Sequence, residues 1–161
     1  MNAVAAVSTN WGLGKNNDLL FHISEDMKHF RTLTSGGTVI MGRKTLASMP
    51  GGKALPKRRN IVITRNAELT MEGCEMASSL EGAIAMCAGE EEVCVIGGGE
   101  IYRQAMPLAD KLYITHVDLE VEGDTRFPDI DPAVWHEVSH EDFPHGSAFP
   151  HPFSFVDYER K

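Results

Sequence analysis

In the stretch LLFHISEDMKHFRTLT, Leu19–Thr34, two adjacent carboxylates open what reads as an amphipathic helix. Ser24 suits the N-cap, since its hydroxyl can accept from a free backbone N–H of the first turn. Glu25 and Asp26 then stand where the helix dipole favours negative charge. The apolar stripe runs through Met27, Phe30 and Leu33, and counting back along it from Phe30 and Leu33 reaches Asp26. Glu25 lines up instead with His29 and Thr32. One acid therefore looks outward and the other along the apolar face. There it serves either the helix dipole or a ligand that brings hydrogen-bond donors.

Two strand-to-helix junctions have the composition of phosphate sites. In TVIMGRKT, Gly42 ends a strand and Arg43, Lys44 and Thr45 open a helix. In EVCVIGGGEIY, Gly97, Gly98 and Gly99 join a strand to the next helix. Free N–H groups at a helix start attract anions and glycine admits a pyrophosphate close to the backbone, although glycine also simply ends strands. Neither junction is a standard nucleotide motif. GGGEIY has tyrosine where G-x-G-x-x-G needs its third glycine, and GLGKNN around Lys15 lacks the first glycine and the final Ser or Thr of a Walker loop. Thr64 and Arg65 follow a further strand in NIVITR. If that strand neighbours the one before Lys44, two cations and two hydroxyls meet, which suits a ribose phosphate and favours NADP over NAD. The alternative is two solvated cations at loop starts.

Other clusters read as structural. His136, His140, His145 and His151 gather near the C-terminus, but HEVSH lies in a strand pattern, so a solvated hairpin edge is expected rather than a metal site. Met71, Met76, Met86 and Met106 suit core filling. Cys74, Cys87 and Cys94 are odd in number and lack metal-ligand spacing, which implies free thiols in a reducing cytoplasm.

Around these residues short β-branched runs alternate with helical patterns. Strands are expected near Ala3–Val7, Thr38–Met41, Asn60–Thr64, Cys74–Ala77, Glu92–Ile96, Lys111–Val117, His136–His140 and Phe153–Glu159. Helices are expected near Ser24–Thr34, Arg43–Ser48, Ser79–Cys87 and Gly99–Met106. The alternation implies an α/β fold, one domain over residues 1–161, with a largely parallel sheet flanked by helices and closed by an antiparallel C-terminal hairpin. The segment Ser8–Ile23 is long for a loop, holds Gly12 and Gly14, and precedes the Asp26 helix, so a lid over a site is expected. Hydrophobic residues make up 42% and charged residues 24%, ordinary for a globular domain. No apolar run has the length to cross a bilayer, and MNAVAAV has no export signal. Fifteen Lys and Arg against 23 Asp and Glu give a net charge of -8, which argues against general nucleic-acid binding but leaves room for an anionic small ligand held by local cations.

Taken in order, AVAAV, WGLGKNNDL, EDMKHF, VIMGRKT, LPKRRNIVIT, VIGGGEIY, LYITHV and EGDTRFP make the chain similar, over essentially its whole length, to the bacterial dihydrofolate reductases. The resemblance implies a central, mostly parallel eight-stranded sheet with four helices. It also implies NADPH as hydride donor, 7,8-dihydrofolate as substrate, antifolates such as trimethoprim or methotrexate as inhibitors, and a cytoplasmic monomer. It carries Asp26 to the family's active-site acid, Thr115 to the threonine bonded to that acid, and Arg58 to the arginine that clamps the glutamate tail. Val4, Ala5, Met27, Phe30 and Met49 line the pterin and aminobenzoyl pocket, with Leu55 at its edge. Cofactor contacts fall to Ala6, Leu13, Gly14, Asn17 and Leu19, to Gly42, Arg43, Lys44 and Thr45, and to Ile63, Thr64, Arg65 and Ser78. They continue through Ile96, Gly97, Gly98, Gly99, Glu100, Ile101 and Tyr102 to Thr125. Gly97–Gly98 matches the family's cis link, and Tyr102 borders the nicotinamide.

On this reading the pterin's N3–H and 2-amino group give Asp26 two parallel hydrogen bonds. Desolvation raises the carboxyl's pKa and Thr115 opposes the rise. The proton for N5 arrives through water, while closure of Thr9–Leu20 excludes bulk solvent. Two features depart from the family. Leu20–Phe21 stand where it usually has Pro-Trp, and Ile23–Ser24 where it often has Leu-Pro, so the indole N–H that helps hold an ordered water is missing. One extra residue also sits in SMPGGKALP. Two rivals remain open here. A pyrimidine reductase of riboflavin synthesis would share the fold without the Asp26, Arg58 and Thr115 set. A non-catalytic NADPH-binding protein would have a rigid lid and no acid in its cleft.

Overall fold

The small apolar and β-branched residues of NAVAAV and TVIMG suit strands buried on both faces, and they form the middle of a sheet. A computed structural model of the chain describes residues 1–15, 18–19, 23–48, 53–66, 68, 70–120, 125–147 and 149–161. In chain order its elements are β1 (Asn2–Val7), β2 (Gly12–Lys15), β3 (Asp18–Leu19), α1 (Ser24–Thr34), β4 (Thr38–Gly42), α2 (Arg43–Ser48), β5 (Arg59–Ile63) and β6 (Cys74–Ala77). There follow α3 (Leu80–Met86), β7 (Val93–Val95), α4 (Gly99–Ala105), β8 (Lys111–Val117), β9 (Thr125–Arg126), β10 (Trp135–Phe143) and β11 (Phe153–Arg160).

Eight strands form the main sheet in the order β10-β11-β8-β1-β7-β4-β5-β6. Every pair from β8 to β6 is parallel, and β11 is antiparallel to both β8 and β10. The expected α/β architecture, with four helices and a closing antiparallel hairpin, is therefore what the chain adopts. Alternation along β1 divides the core. Ala3, Ala5 and Val7 pack with Leu80, Leu112, Tyr102 and Trp135, while Val4 packs with Val39, Met41, Leu46 and Val62. Among the described residues no helix is long and apolar enough to cross a membrane.

Four local expectations need correction. The Ser8–Ile23 segment is not an irregular loop: β2 and β3 pair within it, and β9 joins them in a separate three-stranded sheet. Ser24 is the first helical residue of α1 rather than its N-cap. Ile23 takes the cap position, where its hydrocarbon side chain can make no capping bond and is instead buried with Val117 and Phe153. Ser79 precedes α3 as its N-cap instead of belonging to it, and its hydroxyl accepts from the Gly82 N–H at 3.0 Å. The strand expected at His136–His140 extends over Trp135–Phe143 with an irregularity between Glu137 and Ser139. It is an edge strand with exposed Glu137, Glu141 and Asp142, the charged character that discourages pairing with another chain. His140 is held there by Glu137 and Asp142, and among the described residues no group of His, Cys, Asp and Glu is arranged to hold a metal.

The turn that leads into β5 is built by one buried amide. Asn60, 2% exposed, accepts from the Leu55 N–H through Oδ1 and donates to the carbonyls of Leu55 and Arg58 through Nδ2, each at 2.9 Å. Next to it Arg59 grips the Glu75 carboxylate with two nitrogens and reaches Glu90 at 2.7 Å, tying β5 to β6 and to the end of α3. Asn60→Ala leaves the backbone groups of Leu55 and Arg58 without these partners, and should lower the unfolding free energy by about 2–3 kcal/mol. The readout is a lower urea midpoint at unchanged slope. An unchanged midpoint would mean that the turn holds itself.

Candidate active site

Asp26 lies in the first turn of α1, and one of its carboxylate oxygens accepts the hydroxyl of Thr115 at 2.5 Å. Thr115 sits on β8 between Ala6 of β1 and Phe155 of β11, and its hydroxyl reaches across to the helix. It is buried, and Asp26 is half-buried. Burial raises the Asp26 carboxyl above its ordinary range, while the Thr115 bond and the nearby His29 pull the other way. His29 is itself stacked flat on Phe155, with centroids 4.1 Å apart. The result is a carboxylate kept in an apolar place by one neutral donor.

Val4, Phe30 and Leu55 share one apolar cluster on the same side of β1. Ala5 packs with Tyr102 in the cluster on the other side, as strand alternation requires. Met27 is 51% exposed, so it stands at the rim rather than in the buried stripe expected of it. The Arg58 guanidinium lies 5.7 Å over the ring of Phe30. Its Nε is the one buried side-chain polar atom without a partner among the described residues. Burial and the like charge of Arg31 both lower the Arg58 pKa from its ordinary value. A desolvated cation with an idle donor, beside a second cation, fits an incoming carboxylate. Met49 lies outside the described residues.

The expected cofactor residues collect along the C-terminal ends of neighbouring strands. Gly42 of β4 is in register with Ile63 of β5, and Ile63 with Ala77 of β6. Arg43, Lys44 and Thr45, then Thr64 and Arg65, then Ser78, therefore leave the sheet at one edge. Lys44 and Arg65 are both exposed, and the Thr64 hydroxyl accepts from the Asn66 N–H at 3.1 Å. On the other side of β4, Ile96 follows β7, and the Gly42 N–H donates to the Gly97 carbonyl at 2.9 Å. The Gly97–Gly98 bond is cis, and Gly97 has φ 128°, a backbone region that favours glycine. A Cβ at Gly97 would stand 3.4 Å from the Thr45 hydroxyl and from the Tyr102 ring, and one at Gly42 would stand 3.6 Å from Ile101. Gly97 thus keeps open a cradle bounded by Thr45 and Tyr102. Tyr102 is fixed by donating its own hydroxyl to the Val4 carbonyl at 2.5 Å.

Other expected contacts are placed differently. Gly99 is glycine because of the protein's own packing, since a Cβ there would come within 2.6 Å of Thr125 Cγ2. The Glu100 carboxylate is taken by Arg103 and Gln104 and is pulled down to about 2, so it faces along its own helix. Ala6 and Leu13 are partly buried, and Leu13 packs on the Tyr102 side of the sheet. Gly14 and Leu19 pair in β2 and β3, and Thr125 in β9 pairs with Gly14. Asn17 and the Leu20–Phe21 departure lie outside the described residues, as does the MPGG of SMPGGKALP.

Two features had no counterpart in the sequence reading. Trp11 has φ 64°, rare for a bulky side chain, and sets its ring edge-on to His116 with centroids 5.5 Å apart. It walls a cavity of about 550 Å³ with Asp142 and Phe143, lined also by Val117 and Phe153, the residues that pack on Ile23. Glu25 binds Ser147, far along the chain. The adjacent glycine in HGS was its only sequence signal.

A family model described as dihydrofolate reductase matches residues 1–160. The chain is 40% identical to the dihydrofolate reductase of Bacillus subtilis over 158 residues, which covers 98% of this chain and 93% of that protein. It is 53% identical to that of Neisseria meningitidis over 135 residues, covering 84% of this chain and 83% of that one. A solved structure of the Enterococcus faecalis dihydrofolate reductase, complexed with NADP(H) and RAB-propyl, superposes with a TM-score of 0.91 at 32% identity, covering 99% of this chain and 95% of that one. An acid and threonine joined between α1 and β8, an arginine whose buried Nε is left idle, and a glycine cradle thus stand in a chain that belongs to the dihydrofolate reductase family.

Proposed function

We infer that this chain reduces 7,8-dihydrofolate to 5,6,7,8-tetrahydrofolate with NADPH, and that Asp26 is the group that meets the pterin. The observation that carries the assignment is the Asp26–Thr115 pair, a carboxylate held in an apolar setting with capacity left to accept. When bound, NADPH supplies the hydride that adds to C6, while N5 takes up a proton.

The chain's own residues bind and orient. Asp26 accepts from N3–H and the 2-amino group, and this paired contact grows stronger where water is excluded. Phe30, Val4 and Leu55 supply the apolar walls, and Arg58 receives the carboxylate of the tail. Thr45 and the Gly97–Gly98 cradle support the nicotinamide half. Lys44, Thr64, Arg65 and Ser78 carry the cations and hydroxyls suited to a ribose phosphate. Diaminopyrimidine and diaminopteridine antifolates of the trimethoprim and methotrexate type offer Asp26 a similar donor edge, and should compete with the substrate. The pyrimidine-reductase and non-catalytic readings have no use for the Asp26, Arg58 and Thr115 set. A monomer is supported by the charged edge of β10, and a reducing cytoplasm by the free Cys74, Cys87 and Cys94.

Loss of reduced-nicotinamide absorbance tests the reaction directly. Oxidation of NADPH that depends on dihydrofolate is expected, and its absence in folded protein would overturn the assignment. Asp26→Asn should retain NADPH binding and lose about a hundredfold or more of turnover at neutral pH. Near-normal turnover would remove Asp26 from its role. The same variant has a stability signature. Asp26 has a raised pKa in the folded state, so its contribution is fully present below the ordinary value of 3.8 and is lost as pH rises through the folded value. The ligand-free Asn variant should therefore melt above the wild type at pH 7, with the gap closing as pH falls. Removing both cations, Lys44→Ala with Arg65→Ala, should raise KM for NADPH roughly 10–100-fold and leave NADH nearly untouched, as expected for losing charge-assisted bonds. Equal losses with both cofactors would discard the phosphate reading.

A further inference from the structure

Glu25 is adjacent to Asp26, yet the reaction chemistry gives it no task. Its carboxylate accepts from the Ser147 backbone N–H at 2.8 Å, from the Ser147 hydroxyl at 3.0 Å and from the Ser24 hydroxyl at 3.3 Å. The Ser24 and Ser147 hydroxyls are themselves 3.0 Å apart. Ser147 belongs to the connection between β10 and β11, where the Gly146 N–H donates back to the Phe149 carbonyl at 2.7 Å. Gly146 is buried, and a Cβ there would come within 2.9 Å of the Glu25 carboxylate. The loop is thus shaped to receive this side chain. The Ser147 N–H, chiefly, holds the Glu25 carboxyl below its ordinary range, so it is an anion at neutral pH.

The need for such a clamp follows from where Asp26 sits. It is a desolvated carboxylate in the first turn of a helix whose N-cap, Ile23, supplies no side-chain bond. Unwinding that turn would return Asp26 to water, a favourable escape for a buried charge. Three contacts oppose it within four residues: Ile23 in its apolar cluster, Glu25 on Ser147, and Asp26 on Thr115.

We propose that Glu25 is a positioning residue for the reaction: by gripping Ser147 it keeps the first turn of α1 wound and so holds Asp26 in the cleft against Thr115. The inference rests on the reading of Asp26 as the acid that meets the pterin. Thr115 from β8 and His29 from α1 are the groups that act on the Asp26 carboxyl, and Tyr102 from α4 feels the charge of that carboxyl. None of them is altered by replacing Glu25.

The test compares Glu25→Ala and Glu25→Gln in the full chain. Titration of the Asp26 carboxyl is followed by NMR in the ligand-free protein, alongside steady-state kinetics and NADPH affinity. Glu25→Ala should move the Asp26 midpoint down toward that of an ordinary aspartate and raise KM for dihydrofolate about tenfold, with NADPH affinity changed by less than about twofold. Glu25→Gln, whose amide oxygen still accepts from Ser147, should restore most of both. An unmoved midpoint and KM in the Ala variant would overturn the proposal, as would a Gln variant that behaves like Ala. Should Glu25→Ala not fold, Ser147→Ala removes one donor and is expected to give a smaller shift in the same direction; no shift there overturns it equally. A wild-type chain that fails to oxidise NADPH with dihydrofolate would cancel the functional reading instead, and the NMR titration would still decide on the clamp.

Discussion

A carboxylate held away from water has three ways to lower its free energy: take up a proton, move back to solvent, or find a donor. The fold around Asp26 closes the second and leaves the others. Thr115 supplies only one neutral hydroxyl, which is less than water would give, so the site remains short of donors. A ligand edge with two of them is then bound with an advantage that an already satisfied carboxylate would lack. The same shortage costs stability in the free protein, an exchange common at sites built for binding.

The rest of the molecule follows from where that pair must stand. Thr115 can reach α1 only because β8 lies between β1 and β11, and β8 gains that place when the chain reverses direction into the C-terminal hairpin. Parallel strands on the other side of β1 deliver their C-terminal ends to one edge, each followed by a hydroxyl, a cation or a glycine. The two halves of the site meet at β1. Val4 lends its side chain to the cluster of Phe30 and Leu55, and its carbonyl to Tyr102 beneath the glycine cradle. A shift of β1 by one residue would exchange its faces and separate them.

Much of this was legible before any coordinates, for stated reasons. The strands have unambiguous β-branched runs, and the acid on an apolar helical face stood out because a charge there is costly. The neighbouring of β4 and β5, which brings Lys44 and Arg65 to the same edge of the sheet, was a condition that sequence could pose but not decide. The missed features are tertiary. Ser24 has the right chemistry for a cap, but burial of Ile23 set the helix start one residue earlier and released the serine toward Ser147. The small sheet of β2, β3 and β9 rests on a few residues from distant segments, too short for any periodicity to declare them. Glu100 looked available at a helix start, yet Arg103 and Gln104 lie within reach on the same face and claim it.

Charge distribution completes the account of how an acidic chain receives an acidic substrate. The net charge is -8, and the exposed edge strand β10 concentrates acids at one end of the sheet, two of them bonded to His140. Arg31 is near enough for its like charge to act on Arg58, with no carboxylate paired to either among the described residues, and Lys44 and Arg65 stand exposed beyond β4 and β5. Cations left unneutralised in a protein with acids in excess keep a local positive field against the global negative one. Both reactants are anions at their far ends and uncharged at the reacting rings. On the proposed reading that field draws each by its tail, and Asp26 is left to meet a ring edge that offers hydrogen rather than charge.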